Sequence, residues 1–214
     1  MRNTMVLAAL VALLVFALIG AASADRLILI PTGDTFGTGG VKAEYAGNAD
    51  GDGRIYWVNV GIGKFEVEGT RYAGYGSDDT DVLSAQAQVT PETMFTPALA
   101  VGIRDIGEDA KGLSLSTGGR SIYAVSSKTV PITEGIPGLL EGVRVHGGVG
   151  IGGELSGFFF GIEGKIAPLG ARALVEYDTN DWNYALAYGI RMLQGKVSWI
   201  KGDVYYGGAF TTSF

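Results

Sequence analysis

Cysteine is absent from all 214 residues, which excludes disulfides, thiolate nucleophiles and thiolate metal sites. Histidine occurs once, at His146, so any imidazole-based catalytic pair or imidazole-rich metal site must use that residue. No long apolar run follows residue 24, so no later segment can cross a bilayer as a helix and any insertion must use strands. Charge is sparse and acidic, 16 Lys and Arg against 22 Asp and Glu, which makes nucleic acid an unfavourable partner.

The amino terminus carries Arg2, an apolar run from Met5 to Ile19, and then Ala22-Ser23-Ala24 before Asp25 and Arg26. A basic start, a short apolar core and an A-x-A site are the three regions of a secretory signal peptide, so residues 1–24 are expected to be removed. The apolar core is shorter than the roughly 20 residues a helical anchor needs. Cleavage removes Arg2 and no acid, leaving 15 basic and 22 acidic residues and a formal charge of −7. Residues 25–214 show no linker and are expected to form one domain.

Thirty-five glycines and ten tyrosines, with apolar residues at every second position in many windows, point to an all-β chain. Twelve strands are expected, at 39–47, 54–62, 65–75, 82–89, 98–106, 119–129, 143–152, 157–166, 171–178, 182–193, 196–201 and 203–214. Sorting each strand into two faces is informative, because a membrane barrel needs apolar residues outward and tolerates polar ones inward. Phe158, Phe160, Ile162 and Ile166 share one face while Glu163 and Lys165 share the other; Leu99, Val101 and Ile103 oppose Arg104; Val143, Val145, Val149 and Ile151 oppose Arg144 and His146. The longest apolar face, Trp182 to Met192 by twos, is opposed by Asn183, Ala185, Ala187, Gly189 and Arg191. A soluble sandwich would also alternate, but its exposed face should be mostly charged. Here the polar face is largely glycine and alanine with scattered ions, which suits a narrow lumen.

In the last expected strand Val204, Tyr206, Gly208, Phe210, Thr212 and Phe214 fall on one face. Tyr206, Phe210 and the terminal Phe214 resemble the carboxy-terminal signature of bacterial outer-membrane proteins, which implies recognition by the barrel-insertion machinery and contact with outer-membrane lipid. Gly208 and Thr212 depart from that pattern, which prefers larger apolar residues. The reading is therefore an antiparallel transmembrane β-barrel. If the chain starts in the periplasm, nearly all the acidic loops fall on the outer side, in connections with Asn48, Asp50 and Asp52, then Ser77, Asp78, Asp79 and Asp81, then Glu108, Asp109 and Lys111, then Glu154, then Asn180 and Asp181. Gly63-Lys64, Gln194-Gly195 and residues 167–170 are expected as tight turns on the other. Two connections, 90–97 and 130–142, are long for that side.

The stretch PALAVGIRDIGEDAKGLSLSTGGRSIYAVSSK, Pro97 to Lys128, resembles the YjbH-like outer-membrane proteins associated with exopolysaccharide production, with their "PALAVG-RD-G" and "Y-VASK" strands. Leu29-Ile30-Pro31-Thr32, Gly37-Thr38-Gly39 and Val175-Glu176-Tyr177-Asp178 are further similar patches. Members of that family are longer, so the chain would be a reduced, single-barrel version. The resemblance implies an outer-membrane location and a link to polysaccharide or its export components; it transfers no catalytic motif and no cofactor.

Asn48, Asp50 and Asp52 with Gly53 match the first half of a calcium loop, but the twelfth position is Asn59 instead of a bidentate Glu and the flanks read as strands, so an acidic hairpin loop is the favoured reading. The glycine run 147–153 has no helix after it and is not a dinucleotide fingerprint. A catalytic serine would have to lie on a strand next to His146, and Ser156 lies in a turn; no enzyme activity is expected. The residues expected to line the lumen are Lys42, Glu44, Glu66, Glu68, Arg104, Lys128, Arg144, His146, Glu163, Lys165, Arg172, Glu176 and Arg191. Opposite charges there would most simply pair and plug the barrel; a water-filled lumen would make a narrow channel with anion preference. The functional expectation is a narrow channel or an accessory to polysaccharide export. A secreted or surface-bound soluble β protein with a structural or adhesive role is the alternative.

Overall fold

A computed structural model of the chain describes residues 26–75, 79–110, 113, 118–130, 140–166 and 170–213. The expected signal peptide 1–24 and the terminal Phe214 lie outside the described residues. The strands are β1 Gly40–Asn48, β2 Arg54–Ile62, β3 Phe65–Ala73, β4 Thr80–Thr90, β5 Ala98–Arg104, β6 Ser121–Val130, β7 Leu140–Ile151, β8 Gly157–Ile166, β9 Ala171–Tyr177, β10 Trp182–Ile190, β11 Leu193–Ile200 and β12 Asp203–Ser213. Each pairs antiparallel with its sequence neighbours, and β1 pairs with β12 from Gly40↔Ser213 to Asn48↔Tyr205, closing the ring. The fold is the expected all-β, twelve-stranded antiparallel barrel.

Most strands hold 9 to 12 residues, the length that crosses a bilayer when tilted about 45°. The two faces separate as the alternation predicts. In β10, Trp182, Tyr184, Leu186, Tyr188 and Ile190 are exposed while Asn183, Ala185 and Ala187 are buried. In β12, Tyr206 and Phe210 lie outward with Val204 and Gly208, and Tyr205 and Ala209 lie inward. An outer face of large exposed apolar residues reverses the arrangement of a water-soluble surface. The outer aromatic residues concentrate near one rim: Tyr45 packs on Tyr56, and Phe160, Tyr177 and Trp182 form a mutual cluster with ring centroids 5.3 to 5.6 Å apart. Aromatic girdles mark the two water interfaces of membrane barrels.

The rim where β1 begins and β12 ends is called here the terminal rim; the aromatic cluster lies toward the far rim. The acidic connections predicted to share a side do so at the far rim, joining β1 to β2, β3 to β4, β5 to β6, β7 to β8 and β9 to β10. The longest of these, between β5 and β6, is stapled by Asp105, whose carboxylate accepts the N–H groups of Asp109 and Ala110 at 2.8 and 3.1 Å.

One turn differs from expectation. Gln194 and Gly195 lie within β11, and the tight turn is Arg191-Met192, with Arg191 at φ +57°. Gly195 is not a turn glycine; it faces outward, paired with Gly208 of β12.

Candidate functional site: the lumen and its plug

Before β1 begins, the chain turns inside the barrel. Residues 26–32 are all buried, with Ile28 and Ile30 at 1% and 0% exposure. Arg26 bridges Pro31, and the Leu27 N–H donates to the Ile30 carbonyl at 2.9 Å, closing a hairpin whose tip is Ile28-Leu29. Such a turn leaves its N–H groups pointing one way, and a concave run of backbone N–H groups binds an anion. Here the anion is Glu176 of β9, whose carboxylate accepts Ile28, Leu29 and Ile30 N–H at 2.8, 2.8 and 3.3 Å, and the Asn183 side chain at 3.1 Å.

From the hairpin the chain crosses to the opposite wall. Gly33 N–H donates to Ser127 Oγ of β6 at 2.7 Å, while Gln88 and Gln86 of β4 donate to the Gly33 and Asp34 carbonyls at 3.1 and 2.5 Å. Gly33 is required by close approach, since a Cβ there would lie 2.7 Å from the Ala98 carbonyl oxygen and 3.0 Å from the Ser127 nitrogen. Gly161 of β8 makes the matching space on the other side, where a Cβ would collide with Leu27 Cδ2. Phe36 N–H then reaches Glu66 at 3.1 Å, and Gly39 N–H reaches the Gly61 carbonyl at 3.1 Å before β1 starts. Residues 26–39 are a plug that spans the lumen.

Ionic side chains complete the filling. The Arg26 guanidinium lies 4.1 Å over the Trp57 ring, pairs with Glu44 at 3.0 Å and also pairs with Glu68. Glu44 is shared with Lys42 at 2.8 Å and with Lys196. Nearer the terminal mouth Arg144 bridges Asp34 at 2.5 Å and Glu92 at 3.0 Å, and Arg172 pairs with Glu163 at 3.0 Å. Burial raises the Asp34 carboxyl from its ordinary value, against the opposing pull of Arg144. Arg104 lies 3.4 Å from Glu154 at the far end. Between the plug and the β3–β6 wall a cavity of about 30 Å³, lined by Arg26, Glu68, Ser84, Gln86, Arg104 and Tyr123, has room for about two waters.

Lys42, Glu44, Glu66, Glu68, Arg104, Arg144, His146, Glu163, Lys165, Arg172 and Glu176 stand on the inward register, Lys165 exposed where the wall meets the terminal rim. Two expected lumen residues do not. Arg191 is exposed in the β10–β11 turn, because β10 stops at Ile190. Lys128 faces outward: Ser127 beside it is fully buried and paired with His146, whereas Lys128 is paired with the outward Val145. Its ammonium donates to the Thr93 and Met94 carbonyls at 2.6 and 3.0 Å.

Asn183 stands inward, on the polar face expected for its strand, whereas Trp57, Lys196, Gln86, Gln88 and Ser127 are lumen residues that the sequence reading does not name. Strict alternation could have found Lys196, which shares a face with Ser198 and Ile200 opposite Val197 and Trp199. Ser127 also supplies the serine that sequence reasoning did not find beside His146: its Oγ lies 2.7 Å from His146 Nδ1. That hydroxyl also accepts Gly33 N–H, so the Ser127–His146 pair serves as a fastening for the plug. Asn48 uses its side chain to cap its own loop, accepting Asp50 N–H at 2.9 Å, and no three His, Cys, Asp or Glu side chains among the described residues gather as a metal site. Compared with known proteins, the chain matches no family model and no curated protein.

Proposed function

We propose that this chain is an outer-membrane β-barrel protein acting as a narrow, gated channel, with residues 26–39 as the gate in its closed position. The observation that carries the reading is a hairpin lodged in the lumen by three N–H groups on one carboxylate, Glu176, inside a wall whose outer face is apolar. The hairpin buries Leu27 to Ile30 among the apolar residues of the lumen, and its backbone is fastened by polar groups that water can replace. The terminal rim is then the periplasmic side and the acidic far rim the outer surface. With the plug withdrawn, the wall would present Lys42, Arg104, Arg144, Lys165, Arg172 and Lys196 against Glu44, Glu66, Glu68, Glu163 and Glu176, a nearly balanced lining with a weak preference for anions. The patches that resemble YjbH-like proteins connect such a channel to polysaccharide export, as the conduit or as an accessory to it.

The test is fractionation followed by conductance. The full chain should co-sediment with outer membrane and change gel mobility on heating. In a planar bilayer it should pass little current, and a variant lacking residues 27–34 should pass a steady one. A soluble periplasmic monomer would overturn the barrel reading, and a silent deletion variant with an intact barrel would overturn the gate.

A further inference from the structure

Met94 and Phe95 are 84% and 86% exposed, more than any other large apolar side chain described. They form the tip of the connection between β4 and β5, at the terminal rim. Exposure of this kind usually accompanies a loose loop, yet this loop is built. Thr93 Oγ1 accepts the Phe95 and Thr96 N–H groups at 3.3 and 3.0 Å, and Thr93 N–H donates to the Thr96 carbonyl at 3.0 Å. Hydroxyl-capped turns of this type fix the backbone locally.

Two side chains hold the turn to the wall, Glu92 and Lys128, themselves 3.7 Å apart as an ion pair. Glu92 accepts the Thr129 N–H at 2.7 Å and pairs with the inward Arg144, so the loop leaves β4 above the lumen mouth. Lys128, on the outer face, donates to the carbonyls of Thr93 and Met94. The loop therefore runs from the inward Arg144 to the outward Lys128, which holds the Met94 carbonyl at the tip, and Val89, Leu99 and Val130, the outward residues at the same ends of β4, β5 and β6, are exposed. An ammonium on an otherwise apolar outer face belongs at headgroup depth, with its stem along the apolar surface.

We propose that Met94 and Phe95 insert into the lipid leaflet at the terminal rim, so that this loop is a membrane anchor fixing the depth of the β4–β6 side of the barrel. The partner is a phospholipid leaflet, argued from the continuity of the tip with the lipid-facing wall; the inference rests on the membrane reading above. It concerns a contact outside the lumen and is independent of the gate.

The absence of cysteine makes the test direct. Single variants of the full chain, Met94→Cys, Leu186→Cys on the outer face of β10 and Lys64→Cys in the β2–β3 turn of the same rim, are spin-labelled and reconstituted in phosphatidylcholine–phosphatidylglycerol vesicles. Collision with oxygen is compared with collision with a water-soluble nickel chelate. The Met94 label should favour oxygen over nickel several-fold more than the Lys64 label and approach Leu186. A Met94 label as nickel-accessible as Lys64, with Leu186 protected, overturns the anchor and leaves the barrel reading standing. A nickel-accessible Leu186 overturns the membrane reading itself. Spin–spin broadening at Met94 alone would assign the tip to a second copy of the chain and also overturn the anchor.

Discussion

The wall and the plug of this barrel are held by different means. In the wall every strand is bonded to two neighbours along its length, so adhesion is spread over twelve backbone ladders and no single side chain is indispensable. In the plug, residues 26–39 make one internal bridge and, at Gly39, a backbone bond to Gly61 of the wall; the rest depends on the burial of Leu27 to Ile30 and on a few wall side chains, Glu176, Ser127, Gln86, Gln88, Glu66 and the carboxylates around Arg26. Spread adhesion resists point changes, while concentrated adhesion can be released by one of them. The two parts should therefore come apart separately.

Glu176→Ala should separate them most. It strands three buried N–H groups at about 1–3 kcal/mol each, so the plug should lose its seat while the heat-modifiable band persists; steady bilayer current and new protease sensitivity within 26–36 are the readouts. Loss of the folded band together with the plug would mean that wall and plug are one unit. Leu186→Lys attacks the wall alone, costing up to about 2–4 kcal/mol at mid-bilayer, and should lower the denaturant midpoint without producing current. Gly33→Val puts a side chain against the Ala98 carbonyl and should give intermittent current, smaller than that of Glu176→Ala. Arg26→Met should do less again, since Glu44 keeps Lys42 and Lys196 and Glu68 keeps Asn59.

The smallest effect should be that of pH on the rim loop. Burial works to raise the Glu92 carboxyl, but the Thr129 N–H and Arg144 outweigh it and hold it below its ordinary value of 4.5. A depressed carboxyl stabilises its contacts above 4.5, and that contribution is lost as pH falls through the lower value in the folded protein. Amide exchange at Thr129 should therefore rise only in that acid range, and Glu92→Gln should flatten the profile.

Much of the wall was legible because period two is enforced by chemistry on both faces. Trp182 to Ile190 and Val204 to Phe210 could be sorted residue by residue, since lipid-compatible and lumen-compatible side chains differ so plainly. Errors arose where that contrast fails. Lys128 was assigned inward by its charge, although its alternation with Ser127 puts it outside; the loop carbonyls that receive its ammonium are more than thirty residues away in sequence. Gln194-Gly195 looked like a turn because glycine does, and the left-handed Arg191 carried no such mark. The plug was invisible for a different reason. Leu27 to Pro31 is apolar without alternation, and nothing local says that its N–H groups will meet a carboxylate on β9. Glu176 is legible as a lumen residue, but the pairing of opposite charges expected there does not point to the backbone N–H groups that it accepts.

The pairing of β1 with β12 has a consequence for the order of assembly. It joins the two ends of the folded sequence, so of all the ladders it closes the largest loop and bears the greatest entropic delay. The plug is the segment immediately upstream of β1. The last seam of the barrel is therefore sewn by the strand that carries the stopper, and a chain that seals before the hairpin has entered must admit it afterwards through the terminal mouth, past Arg144. Refolding followed at two sites, the β1–β12 seam and the hairpin tip, should show whether the vessel is filled before or after it is closed.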